Sequence, residues 1–464
     1  MENRKLKKNI LAVAVVMAVF FVALMLYTSY ISVIEAGSLA KNPLNHRQAA
    51  YDENIMRGSI LDAHGNVLAE GKASARKYPY GKVAAPVTGY IGSKLGASGV
   101  ENYAGGDLSG HSPELSMLGP ISQLFQSERG ADVKLTIDMR VQKAIYDAMK
   151  GRKGSAVVLD ARTGAVIAMV SLPSYDPSSV EKNWSQLSND KDSPLLNRAI
   201  SGLYPPGSTI KPLILDAALR SNAATQNETF KCTGALDVGD GHSIRESHGA
   251  VHGKVDLRHA LMESCNVTFG TLAMRMEGKG LSEVFDRFGF GRVAEGEISE
   301  STQRLPDFAK LSKGETAQIG IGQGSLLVTP LHMALLASAF ANDGKVMKPY
   351  LIDEVIFPGG ATIKKGSPSE WYTATDSASA ALVEKWMRDV VTNGTGTRAI
   401  VKGANVAGKT GTAENSSGED HAWFIGSADV DGRRIAFAII VENGGGGGRM
   451  AAPIAKAAIE SMMH

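Results

Sequence analysis

The sequence predicts an α+β protein with one N-terminal transmembrane helix, a small mainly-β unit and a larger unit in which an antiparallel sheet is flanked by helices. Two observations lead to this prediction. The larger unit has strand-like segments near both of its ends and helical patterns between them, so its sheet combines distant parts of the chain. The chain also begins with a long apolar run, which is typical of a membrane anchor.

The N-terminal segment predicts where the protein is located. Four Lys and Arg residues fall within positions 1–8, and residues 9–34 carry no charge. At about 1.5 Å per residue, that run can cross a hydrocarbon core of about 30 Å. Cations before a span favour the cytoplasmic side, so we expect a cytoplasmic tail at 1–8, an anchor at 9–34 and an extracytoplasmic remainder of the chain. A signal peptide cleaved near the small residues at 38–40 and a buried core helix are the alternatives.

Composition narrows the function classes. The 464 residues allow two or three domains, and the formal net charge of +2 comes from scattered basic and acidic groups, so no nucleic-acid partner is expected. The sequence shows no CxxC pattern or His/Cys cluster, and we expect no metal or other cofactor. The two cysteines, Cys232 and Cys265, are compatible with either one disulfide or two buried thiols.

The first unit is predicted to span residues 35–150 and to act as a pedestal. Residues 56–71 place two apolar runs around His64-Gly65-Asn66, which predicts a β-hairpin. Residues 83–110 are rich in glycine and show little helical period, so they are interpreted as a spacer or docking segment. At 132–151 the pattern changes from strand to helix, with Gly151 as a plausible stop.

The second unit is predicted to span residues 151–464. Residues 154–177 read as two strands around the turn at 161–164, and residues 421–430 and 434–443 read as two more. A helix is predicted at 329–344, because Thr329 is a suitable cap, Pro330 suits the first helical position and Gly344 suits the end.

The stretch YPPGSTIKP (204–212) contains a Ser and a Lys three residues apart. Two prolines and a glycine predict Ser208 as the first residue of a helix, where free backbone N–H groups favour an anion. Lys211 then lies on the same helical face. Such SxxK pairs also occur elsewhere in this chain, and taken alone the pair is more often a capping serine and a surface lysine.

A serine nucleophile with a lysine base needs that lysine's pKa to be lowered by burial or by a second cation. AGKTGTAE (407–414) supplies Lys409, with Thr410, Gly411 and Thr412 directly after it. The glycine leaves room for a ligand backbone, and the hydroxyls can bind a carboxylate. An exposed end of an edge strand is the alternative interpretation.

MESCNVTFG (262–270) places Ser264 and Asn266 two residues apart, where both can point into one site. This pattern is weak alone, because Ser and Asn are common loop and cap residues. The order of the three motifs is much more specific: Ser264 lies 56 residues and Lys409 lies 201 residues after Ser208. An ordered SxxK, SxN and KTG set resembles the signature of penicillin-binding proteins and serine β-lactamases.

Further stretches resemble class B, monofunctional penicillin-binding proteins over nearly the whole chain after the anchor, among them RGSILDAHGNVLA, LTIDMRVQ, GAVIAMVSLPSYDP, IGIGQGSLLVTPLHMA and HAWFIGSA. APVTGY and NPLNHR (42–47) look most like short elongation or division members. The resemblance implies a peptidoglycan D,D-transpeptidase whose catalytic unit has the β-lactamase-like fold. It also implies stem peptides and β-lactams as ligands, and a SEDS-family glycan polymerase as a partner in the membrane.

The same resemblance implies a role for each motif residue. Ser208 would attack the D-Ala carbonyl, and Lys211, kept neutral by burial and by Lys409, would accept its proton. Ser264 would relay that proton to the leaving amine, and Asn266 would orient the substrate amide. The implied substrate site comprises Thr410, Gly411 and Thr412, of which Thr410 and Thr412 would hold the carboxylate, and the implied oxyanion hole comprises the N–H groups of Ser208 and Thr412.

Three alternatives remain at this stage: a D,D-carboxypeptidase, a membrane-anchored β-lactamase and a β-lactam sensor. A β-lactamase needs a group that activates water, and the sequence offers no clear glutamate for it. A sensor usually carries a cytoplasmic signalling part, whereas about eight residues precede the anchor. The glycine run at 444–448 is predicted to be a flexible loop near the site.

Overall fold

The computed structural model describes residues 2–31, 56–111, 129–239, 241–415 and 418–463. Three sequence interpretations therefore lie outside the described residues: the end of the anchor at 32–34, the small-residue pattern at 38–40 and the resemblance at 42–47.

Within the described residues the chain forms helices, short 3-10 turns and strands in the following order. The α-helices are α1 (Glu2–Tyr30), α2 (Gly81–Thr88), α3 (Gly99–Tyr103), α4 (Gly105–Leu108), α5 (Met139–Met149), α6 (Trp184–Asn189), α7 (Arg198–Ser201), α8 (Lys211–Arg220), α9 (Leu257–Met262), α10 (Asn266–Arg287), α11 (Lys313–Gly320), α12 (Pro330–Ala341), α13 (Ser377–Asn393), α14 (Gly447–Met450) and α15 (Ala452–Glu460). The 3-10 turns are Ala73–Ala75, Pro177–Ser179, Gly207–Ile210, Ser247–Gly249, Phe308–Lys310 and Thr397–Ala399. The strands are β1 (Met56–Leu61), β2 (Val67–Lys72), β3 (Ile91–Gly92), β4 (Gly96–Ala97), β5 (Asp132–Leu135), β6 (Gly154–Asp160), β7 (Val166–Leu172), β8 (Thr229–Cys232), β9 (Ala235–Gly239), β10 (His242–Arg245), β11 (Gly253–Asp256), β12 (Lys345–Met347), β13 (Ile352–Ile356), β14 (Thr362–Lys365), β15 (Glu370–Thr373), β16 (Ala407–Ala413), β17 (His421–Val430) and β18 (Arg433–Val441).

The N-terminal helix α1 contains a segment suited to a membrane. Lys7–Tyr30 has a mean hydropathy of 2.9 and none of it is buried against the rest of the protein. A helix of this length and composition can span a bilayer, since its apolar side chains have no protein core to enter. The structure thus has the single apolar N-terminal helix that the sequence predicts.

The larger sheet joins the two ends of the chain beyond residue 150. Its strands follow the order β16-β17-β18-β6-β7, and every neighbouring pair is antiparallel. The strands β6 and β7 come from the start of this part and the other three from its end. The prediction of one antiparallel sheet built from distant pieces is confirmed.

Helices cover both faces of this sheet. All twelve residues of α12 are buried, and this helix packs on β18, β17 and β6. Thr329 caps α12 by accepting the N–H of His332, as the sequence suggests. The helix ends at Ala341, before the predicted Gly344, because Asn342, with a φ of −134°, and Asp343, with a φ of +53°, already leave the helical conformation. On the other face, α5 and α15 enclose a second apolar core.

The N-terminal unit contains more helix and a more complex sheet than the sequence predicts. Its sheet follows the order β14-β13-β5-β1-β2, so β13 and β14 come from far beyond residue 150. The predicted hairpin at 56–71 is present as β1 and β2. The expectation of little helix at 83–110 is wrong, because α2, α3 and α4 form there. Gly89 and Gly99 both have positive φ. Their backbones are in close contact, and a Cβ at either position would clash with the other segment.

A buried ion cluster holds this N-terminal unit together. The Glu101 carboxylate accepts bonds from Arg57 Nη2 at 3.1 Å and from Arg76 Nε at 2.7 Å, and the side chains are 0–2% exposed. Arg57 lies on β1, Glu101 lies on α3, and Arg76 directly follows the 3-10 turn Ala73–Ala75. The attraction between the opposite charges offsets the free-energy cost of removing these groups from water. Loss of one partner therefore leaves a buried charge without a counter-charge.

We expect Glu101→Gln to lower the free energy of unfolding by about 3–5 kcal/mol, because two buried guanidinium groups lose their counter-charge. Glu70→Gln is the matched control, since Glu70 lies on β2 with its side chain exposed. Urea unfolding of the full chain in detergent measures both. Equal stability of the two variants would contradict the account.

Candidate active site

The turn that carries Ser208 ends in a helix, as the sequence indicates. Residues Gly207–Ile210 form a 3-10 turn that runs directly into α8, and the N–H of Lys211 donates to Ser208 O. Pro212 is tolerated because it lies in the first turn of α8, where an N–H has no helical partner. Ser208 is half-buried, whereas Lys211 is completely buried.

Close backbone packing explains the glycines around this turn. Gly207 has a φ of +55°, and a Cβ there would lie 2.6 Å from Thr412 O. Its N–H donates to Gly322 O at 2.9 Å. Gly411 faces the same turn, and a Cβ on it would lie 2.8 Å from Thr209 Cγ2. The nucleophile turn and the KTGT strand are therefore in direct contact.

The Ser264 loop sits at the start of α10. Ser264 has a φ of +61°, an uncommon conformation for a residue with a Cβ. Cys265 is the N-cap of α10, and its Sγ accepts the N–H of Thr268 at 3.4 Å. Asn266 begins the helix and donates from Nδ2 to Arg245 O at 2.9 Å. This geometry fixes both side chains of the SxN pair toward Lys211.

Lys409 comes from β16, an edge strand of the large sheet. It pairs with Ile425 on β17 and its side chain is completely buried. Thr410 and Thr412 lie one and three positions after it on the strand. Thr410 is mostly buried and Thr412 is half-buried. The end of β16 thus contributes a buried cation next to two hydroxyl side chains.

The Ser264 hydroxyl lies between the two lysines. Lys409 Nζ donates to Ser264 Oγ at 2.9 Å, and Lys211 Nζ lies 3.2 Å from the same oxygen. Lys211 Nζ also donates to Ser264 O at 2.6 Å and to Asn266 Oδ1 at 2.7 Å. The structure therefore brings together Lys211 and Lys409, which are 198 positions apart in sequence.

Burial controls the protonation of this pair. It lowers the pKa of Lys211 to about 8, although the negative charge of Glu246 partly opposes that shift. Burial lowers the pKa of Lys409 well below its ordinary value, and the charge of Lys211 lowers it further. The lysines titrate as a coupled pair, so the site does not hold two full positive charges near neutral pH.

Two details differ from the roles that the sequence suggests. Among the described residues, no hydrogen bond links Ser208 Oγ to Lys211 Nζ, and such bonds often form fully only with substrate bound. Asn266 uses Oδ1 for Lys211 and Nδ2 for Arg245 O, so its amide holds the lysine before any substrate enters.

Comparison with known proteins identifies the family. The penicillin-binding protein transpeptidase domain model matches residues 154–460, and the penicillin-binding protein A dimerisation domain model matches residues 57–133. The chain belongs to the penicillin-binding protein transpeptidase family. Ser208, Ser264 and Lys409 all fall inside the transpeptidase match.

Similar proteins support this membership over almost the full length. The chain is 32% identical over 491 residues to the peptidoglycan D,D-transpeptidase PbpA of Mycolicibacterium smegmatis, covering 97% of this chain and 98% of that protein. It is 32% identical to the peptidoglycan D,D-transpeptidase MrdA of Haemophilus influenzae, covering 84% and 69%. The ceftriaxone acyl-enzyme structure of penicillin-binding protein A from M. tuberculosis has a TM-score of 0.80 at 31% identity, covering 89% and 99%.

Several site residues of this penicillin-binding protein were missed by sequence reasoning. Thr395 Oγ1 lies 2.5 Å from Thr410 Oγ1, so the two hydroxyls form one polar surface. Trp423 is fully buried and donates from Nε1 to Pro205 O at 3.0 Å, which holds the loop before Ser208. Glu246 accepts the N–H groups of Asn266 and Val267 at 2.9 and 2.8 Å. The sequence does not predict these contacts, because the two residues of each pair are far apart in the chain or because one of them belongs to no motif.

The glycine run also has a structural reason. Gly447 approaches β16 and β17 so closely that a Cβ would lie 2.0 Å from Trp423 O and 2.5 Å from Gly411 O. Gly447 and Gly448 belong to the short helix α14. The run is near the site as predicted, but this part of it is a packed turn against the KTGT strand.

The pKa of Lys211 predicts the pH dependence of acylation. A lysine base works unprotonated, and a pKa of about 8 leaves about a tenth of it unprotonated at pH 7, against well under a thousandth for an ordinary lysine. We expect the rate of acylation by a labelled penicillin to rise with pH and to level off above about pH 8.

Stopped-flow or gel-based acylation rates between pH 6 and 9.5 measure this profile. Lys211→Met should abolish the pH-dependent reaction, and the surface variant Lys182→Met should retain it. A rate that stays constant across the range would rule out a lysine with a lowered pKa as the base.

Proposed function

We propose that this penicillin-binding protein is a peptidoglycan D,D-transpeptidase that works through a Ser208 acyl-enzyme. The observation that carries the proposal is the Ser264 hydroxyl held between buried Lys211 and Lys409, beside the turn that bears Ser208. An unprotonated amine within a water-poor site can activate a serine, and a second lysine on the same hydroxyl completes a path for the proton. The names of the similar proteins point to the same reaction.

The first half-reaction forms an ester. Ser208 Oγ attacks the penultimate D-Ala carbonyl carbon, and its proton passes to Lys211. The tetrahedral oxyanion is held by the N–H groups of Ser208 and Thr412, whose backbones are in contact through Gly207. Each such donor stabilises a transition state by about 3–4 kcal/mol. Ser264 then delivers a proton to the nitrogen of the terminal D-Ala, the C–N bond breaks and D-Ala leaves.

The second half-reaction restores Ser208. An amine of a neighbouring stem peptide attacks the ester carbon, gives up a proton through the same lysine and serine groups, and forms a new amide as the Ser208 oxygen leaves. In the first half-reaction, Thr410 and Thr412 bind the carboxylate of the terminal D-Ala, and Thr395 supports Thr410 through their 2.5 Å contact. Binding at both ends of the reacting bond fixes the substrate for attack.

β-Lactams are inhibitors in this mechanism, because their strained amide meets the same nucleophile. We expect a labelled penicillin to attach covalently to the wild type and not to Ser208→Ala. Peptide mass spectrometry locates the adduct. Ser201→Ala is the matched control, since Ser201 lies on α7 just before the loop and outside the three motifs. An adduct on any residue other than Ser208 would overturn the assignment.

The fate of the same adduct separates the remaining alternatives. We expect the penicilloyl ester to persist for many minutes, because Glu246, the acid whose charge acts on Lys211, is occupied by backbone N–H groups. Rapid release with turnover would indicate a β-lactamase. With a D-Ala-D-Ala peptide, transfer to an added D-amino acid supports a transpeptidase, and release to water alone supports a carboxypeptidase.

The membrane arrangement is also a proposal. The four basic residues in the first turns of α1, ahead of its apolar segment, support a cytoplasmic N-terminus and an extracytoplasmic catalytic part. The family resemblance supports a SEDS-family glycan polymerase that contacts the anchor and the N-terminal unit. Affinity purification from detergent-solubilised membranes should recover that polymerase with the full chain and lose it when α1 is exchanged for an unrelated span. Recovery unchanged by that exchange would contradict an anchor contact.

A further inference from the structure

A buried tyrosine lies in the loop that leads to Ser208, and its hydroxyl has a partner on a distant strand. Tyr204 is the first residue of the stretch YPPGSTIKP and is 8% exposed. Its hydroxyl donates to Glu442 Oε1 at 2.7 Å, although the two residues are 238 positions apart. Glu442 directly follows β18, which lies between β17 and β6. The loop before the nucleophile is therefore tied to the end of a central strand of the large sheet.

Glu442 is itself held by two cations. Arg198 Nε donates to the same Oε1 at 2.7 Å, and Lys153 Nζ lies 3.5 Å from Oε2. The Arg198 side chain is 3% exposed, and its two terminal nitrogens donate to backbone oxygens at 2.6 and 3.0 Å. A hydrogen bond between a guanidinium and a carboxylate is strong and directional. Glu442 therefore presents a fixed acceptor to Tyr204.

The protonation states suit this contact. Burial alone would raise the pKa of Glu442, but the hydrogen bonds from Tyr204 and Arg198 outweigh burial and lower that pKa overall. Burial raises the pKa of Tyr204, and the negative charge of Glu442 raises it further. At neutral pH the tyrosine is therefore a neutral donor and the glutamate a charged acceptor. Such a bond is stronger than one between two neutral groups.

Aromatic contacts hold the Tyr204 ring from a second direction. The ring meets His421 edge to face with centroids 5.5 Å apart, and it meets Trp423 in the same way at 6.1 Å. Gly202 leaves room for the ring, because a Cβ at that position would lie 2.4 Å from Tyr204 Cε2. This packing confines the plane of the ring, and the bond to Glu442 fixes its outer end.

The backbone between Tyr204 and Ser208 is stiff. Tyr204 pairs with Val328 through two backbone hydrogen bonds of 2.9 and 3.0 Å. Pro205 and Pro206 follow, and the ring of each proline fixes its own φ near about −65°. A displacement of Tyr204 is therefore passed on to Ser208, because the residues between them have few free torsions.

We propose that Glu442 is a positioning residue, which holds the Ser208 loop in its reactive arrangement through the hydroxyl of Tyr204. The inference rests on the proposed Ser208 acyl-enzyme. Ser208 Oγ has to approach both the carbonyl carbon and the amine of Lys211, and a misplacement of about 1 Å can lower a rate about a hundredfold. Glu442 acts through Tyr204 and takes no part in the proton transfers.

Acylation of the full chain by a labelled penicillin in detergent tests this inference. Time courses at several penicillin concentrations separate the affinity of the first, non-covalent complex from the rate constant of acylation. We expect Tyr204→Phe, which removes only the hydroxyl, to lower that rate constant about tenfold and to leave the affinity unchanged. Tyr146→Phe is the matched control and should react as the wild type does, since Tyr146 lies on α5 outside the three motifs.

Two variants of Glu442 separate positioning from stability. Glu442→Gln and Glu442→Ala both leave buried Arg198 without a counter-charge, so both should lower the melting temperature. The amide oxygen of glutamine can still accept from Tyr204, so we expect Glu442→Gln to keep the acylation rate constant within about threefold. Glu442→Ala should lower it about tenfold, as Tyr204→Phe does. Asp192→Asn is the control, because it removes another carboxylate that pairs with Lys153.

The double variant Tyr204→Phe/Glu442→Ala should lose no more rate than either single variant, because both changes break the same contact. Acylation of Tyr204→Phe at the wild-type rate would overturn this inference and leave the proposed function standing. So would an equal loss of rate in Glu442→Gln and Glu442→Ala that follows their loss of melting temperature, since that marks a purely structural role. Absence of any Ser208 adduct in the wild type would remove the proposed function and this inference with it.

Discussion

The site depends on the burial of two lysines around one serine hydroxyl. Lys211 and Lys409 are both fully buried, and both donate to Ser264 Oγ. Water would keep two such amines charged at neutral pH, whereas a dry site with mutual repulsion does not. The lowered pKa allows lysine to act as a general base, although an ordinary lysine is a poor base near neutral pH because it is protonated. The charge of Glu246 limits the shift, so the lysine stays reactive over a physiological range.

Close backbone contacts keep these groups in register. The nucleophile turn, the KTGT strand and the loop at Gly322 touch through positions where a Cβ would collide. Trp423 holds the loop before Ser208 through Pro205 O, and Gly447 packs against the KTGT strand. A pocket built from the ends of a sheet strand and two helices is thus positioned by rigid elements, which is what reaction geometry requires. The glycines allow these backbones to come into direct contact.

Much of this could be predicted from the sequence, because the motifs are local. The turn at Ser208, the helix cap at Thr329 and the strands at both ends of the large sheet follow from residue patterns a few positions long. The contacts of Glu246, Thr395 and Trp423 could not, since each of these residues lies 15 to 218 positions from the motif residue that it contacts. The same holds for β13 and β14, which complete a sheet that begins near residue 56.

The central claim is that the lysine pair is not doubly protonated near neutral pH, and NMR can measure this directly. Lysines labelled at Cε are titrated in the wild type, and the signals absent from Lys211→Met and Lys409→Met assign the pair. The account predicts that at least one of these signals titrates well below the usual lysine pKa of about 10.4. If both lysines remain protonated up to pH 10, burial does not lower their pKa values and the account is contradicted.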